Sequence, residues 1–238
     1  MKLINTLLTI LFISLLSSPS WSVNFFTDLE ERDGLYYKKL TDVPYTGKVT
    51  GHNLTGSLKD GKQEGTWVFI WSKDQIWYKG NRKNGKRVGT WVYYHDNGQL
   101  SQKGNYKNGK REGAWIGYYE NGQLRYEGNF KNGKKEGAWV SYNTDGSVKS
   151  ESTGNFKNGK EDGAWIYYHK NGQLWDKGNY KNGKREGAWI GYHNNGQLNY
   201  KGNLKKGKKE GAWVGYEENG TVQKRLTGTF KDGVKISD

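Results

Sequence analysis

Seven tryptophans fall through this chain at a nearly fixed interval: Trp67, Trp91, Trp115, Trp139, Trp165, Trp189 and Trp213, separated by 24, 24, 24, 26, 24 and 24 residues. Each closes a near-copy of the run Gly128-Asn129-Phe130-Lys131-Asn132-Gly133-Lys134-Lys135-Glu136-Gly137-Ala138-Trp139, and copies recur from Gly56 to Phe230. A fixed period of roughly 20–50 residues marks units that cannot bury an apolar face alone and must stack on their neighbours. The chain is therefore restricted to a repeat architecture before any single residue is given a role.

Inside one unit the pattern is that of strands. Leu124, Tyr126, Gly128 and Phe130 alternate with Arg125, Glu127, Asn129 and Lys131, the period of two of a β-strand. Ala138 to Tyr142 reads as a second strand. Asn-Gly and Asp-Gly between alternating strands signal tight hairpins, because both central positions of a type I′ turn need φ > 0. A two-residue turn at Asn121-Gly122 sets Trp115 opposite Gly128. A unit that returns every 24 residues then sets Gly128 opposite Trp139 as well, and makes Asn132 to Lys135 a four-residue loop. Successive indoles come to lie about 9.6 Å apart, each beside a glycine whose bare backbone leaves room for the ring. Tyr126, Phe130 and the tryptophans share this face; Ile116, Glu127, Asn129 and Val140 take the other. The 26-residue step adds an even number of residues and so keeps every side chain on its face, at the cost of a longer turn near residue 146 or a bulge.

The expected fold is all-β: an elongated, twisted antiparallel β-meander of about seven hairpin repeats of 24–26 residues. Composition agrees, with 35 Gly, 17 Tyr, 11 Trp and only 2 Pro in 238 residues. Residues 56–238 form the array and 23–55 an N-terminal β capping segment with a turn at Asp33-Gly34, since terminal units must close the stack. Residues 1–22 read as a signal peptide: Lys2, an apolar stretch Leu3 to Leu16, then small residues with cleavage after Ser20 or Ser22. The alternative is a buried or membrane-anchoring N-terminal segment. Export places the chain in the periplasm, cell envelope or extracellular space. The absence of cysteine excludes disulfides, thiolate metal sites and a cysteine nucleophile.

The pattern Gly-x-Phe/Tyr-Lys-Asn-Gly-Lys-x-x-Gly, then Tyr and Asn-Gly, resembles the MORN repeat. Gly-Ala-Trp-Ile/Val and Asn-Gly-Gln-Leu resemble its bacterial variant, as in YwqK-family toxin–antitoxin antitoxins. The lead-in, Arg32-Asp33-Gly34-Leu35-Tyr36-Tyr37 and Pro44-Tyr45-Thr46-Gly47, is similar too. The resemblance implies a scaffold with protein or lipid contacts and no catalysis of its own. The antitoxin likeness implies neutralisation of a partner protein, which for an exported chain must itself be exported.

Chemistry-bearing residues recur with the repeat. Glu64, Glu112, Glu136, Asp162, Glu186 and Glu210 stand three before a tryptophan. Acid–base catalysis needs two carboxylates in different environments, and a ladder of equivalent positions supplies the same one repeatedly, so a carbohydrate-active enzyme is the least supported reading. His95, His169 and His193 flank turns and are too few and too far apart for a metal set. The glycine-rich runs join two strands, with no helix to bind phosphate. No catalytic, cofactor or metal residue is assigned. The candidate interaction surface is the aromatic row Trp91, Trp115, Trp139, Trp165, Trp189 and Trp213, whose rings could equally pack on each other because a one-layer sheet has no second layer, with a basic edge that includes Lys110, Arg111, Lys134, Lys135, Lys184 and Arg185, the alternative there being a solvated edge kept charged against aggregation. A net charge of +14 favours anionic partners. The expected function is a non-catalytic exported binding or scaffold protein, in one form the inhibitor of a partner toxin; the alternative is an envelope protein binding anionic lipid or glycan through its basic edge. Charge and aromatics would also suit nucleic acid, which an exported protein seldom meets.

Overall fold

The structure, a computed structural model, describes residues 22–71, 75–149 and 153–238. The signal peptide expected over residues 1–22 lies outside these but for Ser22. Regular structure among the described residues is entirely β. From Gly47 onward each strand pairs antiparallel with the next, but hydrogen bonding divides the strands into a sheet of 12, a sheet of 7 and a separate two-stranded hairpin, not one unbroken ladder. The division falls on the segment carrying Trp165: Lys160–Glu161 ends the first sheet and Gly163–Tyr168 opens the second.

The N-terminal residues close the first indole. Val23–Asn24 pairs parallel with Gly47–Gly51. Leu29–Arg32 and Leu35–Lys38 form a hairpin on Asp33-Gly34, whose φ angles are 51° and 74°. Leu29, Val49, Leu54, Leu58 and Trp67 make one buried cluster, with Phe25 edge-on to Trp67 at 5.7 Å.

The expected register holds at its centre: Gly128 faces Trp115 on one side and Trp139 on the other. The turns are the reverse of expectation. Asn132-Gly133 is the two-residue turn, with φ of 51° and 82°, and Lys131 pairs with Lys134 across it. Asn121-Gly122 belongs to a three-residue loop, Glu120 to Gly122, closed by the Tyr119 N–H donating to the Gln123 carbonyl at 2.8 Å. There the Asn121 side chain accepts the Gln123 N–H at 3.0 Å, an Asx turn that holds the asparagine out of the left-handed region. The tighter turn at Asn132-Gly133 moves the pairing by two residues. A bulge returns it: the register jumps between Gly128 and Asn129, passing over Gly137 and Ala138, with Gly137 at φ 70°. Lys135 therefore faces Phe130 on the indole side and is not part of a loop.

The extra residues after Asp145-Gly146 do not lengthen that turn, which closes like the others through Asn143 N–H and the Ser147 carbonyl. Beyond Val148 the Thr153 hydroxyl donates to the Lys149 carbonyl at 2.9 Å and accepts the Ser141 N–H at 3.0 Å. At the second insertion the Thr227 hydroxyl accepts the Gly215 N–H at 3.0 Å and the Thr227 N–H donates to the Gln223 carbonyl at 3.1 Å.

Two glycines separate two kinds of constraint. A Cβ on Gly128 would lie inside the Trp139 ring, well under 3.0 Å from its atoms, whereas one on Gly137 would meet nothing within 4 Å. Gly128→Ala is expected to cost about 3 kcal/mol, at the upper end of ordinary overpacking. Gly137→Ala is expected to cost about 1–2 kcal/mol, from its positive φ alone. Urea unfolding of both variants measures this; equal losses would refute the steric account of the indole seat.

Candidate functional site

Each repeat indole has a glycine on one side and, in five of the seven units, a cation on the other. Below it lies the glycine eleven residues earlier, as Gly104 beneath Trp115. In every unit but that of Trp67, whose Nε1 is buried without a partner among the described residues, its N–H donates to the backbone carbonyl ten residues earlier: Trp115 to Asn105 at 3.1 Å, Trp139 to Asn129 at 2.9 Å, Trp189 to Asn179 at 3.1 Å. Above it, in five units, lies the cation four residues earlier: Arg87, Arg111, Lys135, Arg185 and Lys209 stand 4.1–4.6 Å from the ring centroids. A desolvated contact of this kind contributes about 1–2 kcal/mol. Tyr106, Phe130 and Phe156 meet neighbouring indoles edge-on. Trp91, Trp115, Trp139, Trp165, Trp189 and Trp213 are 0–6% exposed. The aromatic row is interior, not surface.

The bulge thus splits each basic pair of the expected edge. Arg111, Lys135 and Arg185 turn onto the indole face and are half-buried; Lys110, Lys134 and Lys184 stay exposed at the turns. Each exposed lysine faces another: Lys107 pairs with Lys110, Lys131 with Lys134, Lys157 with Lys160, Lys181 with Lys184, Lys205 with Lys208. None of these ten enters an ion pair among the described residues. Like charges directly opposed are destabilising, so the fold itself gains nothing from this ladder.

The other sheet face is open. Across the second sheet a groove of about 740 Å³ runs over Ala164, Ala188 and Ala212, beside Ile166, Ile190 and Val214, with Lys177 and Lys201 along it. A counterpart of about 670 Å³ lies over Ala114 and Ala138 in the first sheet. Where Thr66 and Thr90 take the alanine position, their hydroxyls donate to Asn81 and Asn105 at 2.8 Å. Alanine at that position leaves the Asn179 and Asn203 amides without a hydrogen bond among the described residues. Ile166 and Trp175 are 45% and 41% exposed.

The carboxylate and histidine ladders serve the turns. Glu64, Glu112, Glu136, Asp162, Glu186 and Glu210 each accept the N–H that opens the next two-residue turn, at 2.8–3.3 Å. The Nε2 atoms of His95, His169 and His193 lie 2.8–3.0 Å from the carbonyls of Tyr118, Tyr192 and Tyr216, one repeat on. These histidines are half-buried ties, not exposed flanks. Among the described residues no group of His, Cys, Asp and Glu is placed to hold a metal ion, and no helix is long and apolar enough to cross a membrane.

One polar cluster escaped the sequence reading. Asp176 is 2% exposed; Arg185 pairs with it at 3.1 Å and the Tyr200 hydroxyl donates to it at 2.7 Å. The signal was a longer period. Residues 103–118 recur without change at 177–192, an offset of 74, and both insertions share it. At this offset Gln102 answers Asp176, and the Tyr126 hydroxyl donates to it at 2.6 Å.

A family model described as MORN repeat variant matches residues 87–108, 111–132, 161–182 and 185–206. The chain is thus a MORN-repeat-containing protein, and the repeat is a non-catalytic one. No curated protein matches. Among solved structures, the crystal structure of a GtfA/B complex bound to UDP and GlcNAc is similar at 16% identity, over 63% of this chain and 28% of that one, with a TM-score of 0.16; at that score no shared architecture or activity is inferred.

Burial raises the Asp176 carboxyl above its ordinary value of 3.8, outweighing the Tyr200 hydrogen bond and Arg185. A raised folded-state pKa means stability present below the unfolded value and lost as pH rises through the folded one. The difference in unfolding free energy between the native chain and Asp176→Asn is therefore expected to fall from about pH 4 upward. Denaturant titrations at several pH values test it; a difference that grows with pH would show that the ion pair dominates.

Proposed function

We propose that this chain is an exported, non-catalytic binding or scaffold module that seats a protein partner along its open sheet face. The observation that carries this reading is the contrast between the two faces. The indole face satisfies itself with rings, glycines and cations. The other leaves alanine, isoleucine and valine side chains beside amides without partners, the mixture of apolar floor and polar rim that protein interfaces use. Lys177 and Lys201 select acidic side chains in the partner. About seven hairpins in an elongated meander would repeat this surface every unit, suited to an extended partner.

The likeness to the bacterial MORN variant of antitoxins supports a specific form: inhibition of a partner protein that is itself exported. Export rests on the apolar stretch from Leu3 to Leu16. The lysine ladder favours a second reading, docking to anionic lipid or glycan of the envelope. Opposed ammoniums that cost the fold stability are explained by a polyanion that relieves them.

Ala188→Asp, at an exposed position, is expected to leave folding within about 0.5 kcal/mol and to abolish co-purification of the protein partner from producing cells. Groove binding should persist at high salt, while ladder binding weakens steeply. Recovery of lipid or glycan alone, with binding indifferent to Ala188→Asp, would overturn the first reading and leave the second.

A further inference from the structure

The loops on the edge opposite the lysine ladder carry Asn-Gly-Gln at Asn97, Asn121, Asn171 and Asn195. In each, the asparagine amide nitrogen donates to a backbone carbonyl of the next unit, 23 residues on: Asn97 to Glu120 at 2.9 Å, Asn121 to Thr144 at 3.2 Å, Asn171 to Asn194 at 2.9 Å and Asn195 to Glu218 at 3.1 Å. The unit of Trp213 departs from this pattern and reads Glu217-Glu218-Asn219-Gly220-Thr221. The Asn219 side-chain oxygen accepts the Thr221 N–H at 3.0 Å and the Thr221 hydroxyl at 2.7 Å. Its amide nitrogen makes no hydrogen bond among the described residues, and Glu217 to Thr221 are all exposed.

The 74-residue offset shows that the loop does not need that nitrogen. At the matching place, Asp145-Gly146-Ser147, the Ser147 N–H and hydroxyl donate to the Asp145 carboxylate at 2.8 Å and 2.6 Å. A carboxylate thus closes the loop as well as a carboxamide does. Asn-x-Ser/Thr, with x other than Pro, is the acceptor pattern for asparagine-linked sugar in surface loops of secreted proteins. The sequence carries it at one other place, Asn53-Leu54-Thr55, and there the fold opposes it. Leu54 is 4% exposed in the N-terminal cluster, and Thr55 pairs with Thr50 on one side and Val68 on the other. Seating that segment in an enzyme would draw Leu54 from the core. The loop at 217–221 is closed by exposed hydrogen bonds, the Glu217 N–H to the Thr221 carbonyl at 2.8 Å and the Gly220 N–H to the Glu217 carbonyl at 2.9 Å, which open at little cost. Glu217 enters no ion pair among the described residues. Two residues before Asn219, it gives an enzyme a charge by which to select this loop.

We infer that Asn219 is an acceptor for asparagine-linked glycosylation by a separate transferase, with a saccharide diphosphate as donor. The Asn219 amide nitrogen bonds to the anomeric carbon as the bond from that carbon to the diphosphate oxygen breaks. The diphosphate leaves with the electron pair, the amide gives one proton to a base of the transferase, and nothing is oxidised or reduced. The inference rests on the export proposed above. Asn219 lies outside the residues lining the alanine groove, so a saccharide there leaves that surface open.

Peptide mass mapping of the chain recovered from producing cells tests it. The expected result is an N-terminus beyond Ser20 or Ser22, a saccharide mass on the peptide holding Asn219, and a bare Asn53. A chain that has lost its leader but holds a bare Asn219 overturns the inference and leaves export standing. A chain that keeps Lys2 overturns export, and transfer in vitro then decides the acceptor. That assay uses the purified full chain, a single-chain bacterial oligosaccharyltransferase and a polyprenyl diphosphate-linked oligosaccharide; no transfer to the leader-bearing chain overturns the inference. Transfer should be abolished in Asn219→Gln and in Thr221→Ala, kept in Thr221→Ser and unchanged in Asn53→Gln. Glu217→Gln should slow it about tenfold, the loss of one charge-assisted contact. Asn143→Glu with Asp145→Asn, which copies the pattern into the earlier loop, should add a second acceptor. In either assay, a saccharide on Asn53 in place of Asn219, or equal modification of Thr221→Ala, overturns the inference.

Discussion

A tryptophan lying on a glycine is the contact on which the rest of this molecule depends. A one-layer array has no second layer to bury an apolar face against, so each unit must supply its own cover. The glycine of the preceding strand removes the side chain that would fill the indole's place; in five of the seven units the cation four residues before the ring closes its outer side. Burying an indole of roughly 150–250 Å² contributes roughly 4–6 kcal/mol at about 25 cal/mol per Å². That gain recurs with every beat. Because Gly154 still lies beneath Trp165, the seat continues where the backbone ladder divides into two sheets.

The bulge at Gly137-Ala138 and its equivalents is what makes this geometry possible. A two-residue turn and a 24-residue return cannot both hold in a plain ladder. The two passed-over residues reconcile them, and in doing so bring Lys135 and its counterparts over the rings. Consecutive units are then tied at both ends: carboxylates accept from the next turn on the lysine side, and histidines, Tyr119 and asparagine amides reach the next unit on the other. These ties use up the groups that most resembled catalytic or metal-binding residues. What stays uncommitted is a face of alanine, isoleucine and asparagine, a ladder of opposed lysines, and the Asn219 amide.

The duplicated block separates structural need from other demands. Positions that agree across the 74-residue offset, such as Trp115 and Trp189 or Gly104 and Gly178, are those the seat requires. Those that differ, Gln102 against Asp176 and Arg125 against Asn199, keep the same backbone while changing the charge it carries. The neutral and charged solutions for one position, half-buried as Gln102 and buried as Asp176, each accept a tyrosine hydroxyl and show that the fold tolerates either.

The sequence by itself determined the repeat, the all-β class, the pairing of Gly128 with Trp115 and Trp139, and the indole face, because period and alternation are local properties of the chain. The choice of turn was not legible: Asn132-Gly133 and Asn121-Gly122 carry the same dipeptide, and what separates them is whether the asparagine side chain caps its own loop. The fate of the basic pairs was not legible either, since a bulge moves Lys135 to the indole face without leaving a mark beyond Gly137. Only the tertiary structure decided which side chains reach solvent. Burial is a property of packed neighbours, and it placed in the core a row of tryptophans that the sequence leaves open between packing on each other and meeting a partner.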